Sequence, residues 1–125
     1  MSAFDSKLDV ELVNQDAADG RGTWRLTAPL VYHSDIVGTV MVPQGFMTDF
    51  ASVPRWIPIA SALLLDTASE AAVVHDWLYQ APHPTSSRSA ADAVLKEAAI
   101  TSGVSRWVAW ALWAGVRVGG ASHWK

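Results

Sequence analysis

The chain has 125 residues, half of them hydrophobic and 17% charged, with nine Lys and Arg against twelve Asp and Glu for a formal net charge of −3. That size and composition predict one domain over residues 1–125 with a real core and exclude a disordered chain. The few scattered basic residues exclude a general nucleic-acid binder, and the absence of cysteine excludes disulfides and thiolate metal sites.

Residues 1–43 read mainly as strands. Residues 7–13 place Leu8, Val10 and Leu12 on one face at period two, residues 14–22 read as a polar hairpin loop, and residues 23–27 alternate again, predicting an antiparallel pair. Pro29 interrupts the pattern as a bulge or edge position, residues 30–33 resume it, and Ser34-Asp35 turn the chain into residues 36–42. Pro43-Gln44-Gly45 ends the sheet, and 44–66 reads as a loop and connector, with Asp49 in an Asx-turn and Phe46, Phe50 and Val53 as anchors.

Residues 67–125 read mainly as helices. Thr67 and Glu70 have capping-box spacing and open a helix to about Gln80, where Ala81-Pro82-His83-Pro84 stops it. On this helix Ala71, Ala72, His75, Leu78 and Tyr79 share a face, with Asp76 beside them. Ser86 or Ser87 can cap a second helix through Ser102, and Gly103 suits a left-handed terminator. The intervening loop is short, so the two helices should run antiparallel, with His75 and Asp92 at one level. Asp92 could then accept a hydrogen bond from one ring nitrogen of His75 and leave the other as a base.

The third helix, residues 104–118, is apolar nearly all round, and Trp107, Trp110 and Trp113 recur along it. Core packing is the first reading of that stripe, and an interaction face for a partner or lipid is the alternative. His33, His83 and His123 read as solvent or strand residues, and Trp124 as an anchor for the tail. The expected fold is α+β: a small N-terminal antiparallel sheet of three to four strands followed by a set of three helices.

The segment Val42-Pro43-x-Gly45-Phe46-x-Thr48-Asp49-Phe50-Ala51-Ser52-Val53-Pro54-Arg55, with Ala72-Val73-Val74-His75-Asp76-Trp77-Leu78-Tyr79, Ser87-Arg88 and Ala91-Asp92, resembles the bacteriophage and prophage family called domain of unknown function 1353. The resemblance spans nearly the whole chain and implies a phage origin without naming a reaction. A local resemblance, His75-Asp76-x-x-Tyr79 with a carboxylate on the next antiparallel helix, is similar to the catalytic helix pair of secretory phospholipases. It implies that His75 activates water, that Asp92 and Tyr79 orient it, and that Asp76 binds calcium; Asp49, if not a turn residue, is a further candidate metal carboxylate. For the Gly-rich calcium loop of those enzymes the candidate here is Gly45 to Arg55, with fewer glycines and a different register, and the disulfides common in them are absent.

Two functions are therefore expected. In the first, the chain is a virion-associated tail or assembly component that binds other phage structural proteins, with His75, Asp76, Asp92, Arg88, Asp49, Ser52 and Arg55 forming a polar network. In the second, it is a calcium-dependent hydrolase of lipid or another ester at an interface, with His75, Asp92 and Tyr79 as the catalytic group and the Trp stripe in membrane contact. A host-directed adaptor or inhibitor is a further alternative. The sequence shows no signal-peptide pattern and no run long enough to span a bilayer, and the virion or the host cytoplasm is the expected location.

Overall fold

The computed structural model describes residues 2–5, 8–14, 23–48, 69–80 and 87–119. Its elements are β1 (Ala3–Phe4), β2 (Val10–Asn14), β3 (Thr23–Leu26), β4 (Leu30–Ser34), β5 (Gly38–Val42), β6 (Met47–Thr48), α1 (Ser69–Tyr79), α2 (Arg88–Thr101) and α3 (Arg106–Gly119). The α+β class and the order of strands before helices agree with the sequence pattern. The strands divide between two antiparallel three-stranded sheets, β1-β4-β5 and β2-β3-β6.

Two prolines mark where the chain changes sheet. Pro29 lies between β3 and β4, where a ladder cannot continue through a residue lacking N–H. Pro43 follows β5, and Gly45 supplies the positive φ of 90° that turns the backbone back towards β3. Gly45 N–H then donates to Leu26 O at 2.8 Å and Leu26 N–H to Phe46 O at 3.0 Å, which carries the chain into β6. The sequence pattern predicts a loop and connector over residues 44–66; instead Met47 and Thr48 pair with Arg25 and Trp24. This edge strand is too short to show any period.

The expected β2–β3 pairing is present, running from Val10 opposite Leu26 to Asn14 opposite Thr23, with an irregularity between Leu12 and Asn14. In β4 the residues Leu30, Tyr32 and Ser34 point inward, and Val40 and Val42 do so from β5. Phe4 of β1 packs its ring on Tyr32 at 4.5 Å.

Helix α2 is capped as its sequence suggests: the Ser87 hydroxyl accepts the Ala90 N–H at 3.1 Å. It ends at Gly103, whose φ of 104° lets Val104 N–H reach back to Ala99 O at 3.0 Å. Helix α2 contacts both α1 and α3, and one core joins Leu26, Tyr32 and Val42 from the strands to Val74, Leu95 and Leu112 from the helices.

Helix α3 corrects the reading of the Trp stripe as core. Its buried residues are Ala109, Leu112, Gly115 and Val116, while Trp107 and Trp110 are 75% and 57% exposed and Trp113 is half-buried. Small side chains let two helices approach closely, and three indoles on the same face would hold them apart. No helix among the described residues is long and apolar enough to cross a membrane. Asp49, Ser52, Arg55, the Thr67 cap, His83, His123 and Trp124 lie outside the described residues.

Candidate functional site

Helix α1 brings a histidine and a carboxylate into an interior otherwise made of aliphatic groups. Ala71 to Asp76 are all buried, as are Leu78 and Tyr79, so the helix is enclosed on nearly every side. A polar group in such a place costs a few kcal/mol unless it finds partners, roughly 1 to 3 for each unpaired donor. The partners come from α2, α3 and β6.

Asp92 of α2 is the centre of the cluster. Its Oδ1 accepts His75 Nε2 at 2.8 Å and the Tyr79 hydroxyl, and its Oδ2 accepts Arg117 Nη1 at 2.9 Å. Arg88 Nε lies 3.9 Å from the same Oδ2 and donates to the Tyr79 oxygen at 3.1 Å. The second arm of Arg88 reaches the last turn of α3, donating to Val116 O at 2.7 Å and Arg117 O at 2.9 Å. His75 and Tyr79 are one helical turn apart, and their rings meet at a tilt of 43° with centroids at 4.2 Å.

The electrostatics follow from this wiring. Burial alone would raise the Asp92 pKa and is the largest single influence. The hydrogen bonds from His75, Tyr79 and Arg117, with the charge of His75, together outweigh it and hold the carboxyl below its ordinary value. Tyr79 is pushed far above the usual phenol range, first by burial and then by its bond to the Asp92 carboxylate. With Asp92 ionised, the shared proton belongs on His75 Nε2, an assignment made from the partner. The other ring nitrogen, Nδ1, is buried and meets no hydrogen-bond partner among the described residues.

Asp76 is buried beside this cluster and accepts a hydrogen bond from the Thr48 hydroxyl of β6. The described residues contain no group of three or more His, Cys, Asp or Glu placed to hold a metal ion. Calcium wants six to eight oxygen ligands, so Asp76 and Thr48 alone do not make its shell.

The structure thus brings together His75, Asp92, Tyr79 and Arg88, and sets Asp76 next to them with a different partner. Arg117 and Thr48 were not singled out as site residues from the sequence. The available signal for Arg117 was a cation in the last turn of a helix that is apolar between Arg106 and Arg117; Thr48 had none, since its link to Asp76 crosses from strand to helix. Trp107 is largely exposed, and Trp110 and Trp113 line a cleft with Ala93, Lys96 and Glu97 of α2 that no member of the cluster lines.

A family model described as Protein of unknown function (DUF1353) matches residues 24–116. The chain belongs to that family. The match contains Thr48, His75, Asp76, Tyr79, Arg88 and Asp92, and ends one residue before Arg117. No curated protein and no solved structure matches the chain.

Proposed function

We propose that the chain is a hydrolase in which His75 is the general base. The observation that supports this is the unequal treatment of the two ring nitrogens: Nε2 is bound to Asp92, while Nδ1 is buried without a partner among the described residues. A cluster built only for stability gains by satisfying both nitrogens, and a buried ring nitrogen without a partner is a cost that a catalytic role accounts for. The reaction requires the enclosed site to open and admit water and ester; Nδ1 then takes a proton from that water, the hydroxide adds to the ester carbonyl, the carbon–oxygen bond breaks, and the imidazolium returns the proton to the leaving alkoxide. Asp92 and Tyr79 act as positioning residues, with Asp92 stabilising the imidazolium while it exists. Esters presented at a lipid surface are the proposed substrate class, because Trp107 and Trp110 offer exposed aromatic surface.

Turnover of phospholipid vesicles and soluble aryl esters, with and without calcium, tests the reading. His75→Gln should abolish hydrolysis while circular dichroism keeps its native form. Absence of turnover in the wild-type protein on every one of these substrates would overturn it.

A second reading is favoured by a different observation: Asp92 contacts side chains from all three helices, which suits a cluster that fixes their arrangement. On that reading the chain is a structural or assembly component of a bacteriophage particle and binds other phage proteins. His75→Gln would then lower stability with no activity to lose.

A further inference from the structure

On another face of α2, Glu97 lines a cleft of about 560 Å³ with Lys96, Ile100, Ile36 of the β4–β5 turn, and Trp110 and Trp113 of α3. That volume is within the usual range of small-molecule sites, roughly 300 to 1,000 Å³. Three donors fix the Glu97 carboxylate. The Tyr32 hydroxyl and Ser34 Oγ donate to Oε1 at 2.6 and 2.7 Å, and the Asp35 N–H to Oε2 at 3.2 Å. All three are neutral, and among the described residues no Lys, Arg or His stands within ion-pairing distance of Glu97.

We propose that this cleft binds an alkylammonium group, with Glu97 as its counter-ion and Trp110 and Trp113 as its aromatic walls. Neutral donors orient a carboxylate without cancelling its charge, so the position calls for a cation. The walls select which kind: a small inorganic ion keeps its water and gains nothing from indoles, whereas a methylated ammonium is weakly hydrated and is attracted by their electron-rich surfaces. Apolar contact with Ile36 and Ile100 suits its methyl groups. Lys96 gives the cleft a positive group as well, which favours a ligand carrying an anion beside its ammonium, such as phosphocholine. This site uses none of the His75 cluster and does not depend on its reading.

Calorimetric titration of the full chain with choline and with phosphocholine, beside the neutral isostere 3,3-dimethylbutan-1-ol, tests the proposal. Saturable binding of at least one charged ligand is expected, about tenfold tighter than the isostere, a ratio that corresponds to roughly 1.4 kcal/mol. Glu97→Gln, which keeps an acceptor for Tyr32 and Ser34, should erase that preference, and Trp110→Leu should weaken the charged ligand several-fold. Phosphatidylcholine vesicles that sediment with the protein, and are competed off by phosphocholine, would identify a lipid headgroup; binding of the free ligand without vesicle binding would identify a soluble one. Equal affinity for choline and its isostere, full choline binding by Glu97→Gln, or binding only to phosphatidylglycerol vesicles would each overturn the proposal.

Discussion

Replacing Asp92 by Ala removes the acceptor on which two buried donors depend. His75 Nε2 and the Tyr79 hydroxyl are enclosed, so neither can turn to water. An unpaired buried donor costs about 1 to 3 kcal/mol, giving roughly 2 to 6 kcal/mol for the pair. The arginines add less. Arg117 is partly exposed and can be hydrated, and Arg88 keeps its two α3 carbonyls. Against a typical total stability of about 5 to 15 kcal/mol, such a loss removes a large part of what holds the domain folded. Urea unfolding followed by circular dichroism should show a much lower midpoint at an unchanged slope. An unfolding free energy within about 0.5 kcal/mol of wild type would refute the reasoning, because surface substitutions away from any such network change stability by no more than that.

Acid should act through the same carboxylate. The folded-state pKa of Asp92 is lowered, so its stabilisation is complete above the ordinary value of about 3.9 and is lost as pH falls through the folded value. Asp92→Asn should therefore flatten the loss of stability below about pH 4, and equal acid sensitivity in the two proteins would count against this assignment. Thr48→Val takes a buried donor from Asp76 and should cost about 1 to 3 kcal/mol by thermal melting. Ser87→Ala should lower stability by about 1 kcal/mol through loss of the α2 cap, with no change in helix packing by chemical shift. Trp107→Gln should leave stability within about 0.5 kcal/mol, and a loss above 2 kcal/mol would mean the indole is packed after all.

The parts of this molecule that were legible in the sequence are those governed by local rules. The His75–Asp92 contact follows from counting helical rise away from a short loop, and Ser87 and Gly103 announce the ends of α2 through chemistry that depends on neighbours only. Arg117 was hidden because it stands 25 residues from Asp92 and reaches it only once α3 has folded back. The division of the strands between two sheets was hidden for a similar reason. Pro29 and Pro43 showed where ladders break, but not which strand the next segment would join. With the Trp stripe, hydrophobicity was mistaken for burial: the inward face of α3 is chosen by how closely it fits α2, and Ala109, Leu112 and Gly115 fit better than indoles.

Arg88 has a consequence for how the helices come apart. Its guanidinium closes the C-terminal turn of α3 at Val116 and Arg117 while its Nε holds the Tyr79 oxygen of α1. Fraying at the end of α3 therefore breaks bonds that also restrain α1, and release of α1 loosens the end of α3. Amide protons in the last turns of both helices should then exchange with solvent at one common rate, as a single cooperative unit, where unlinked helix ends would open separately.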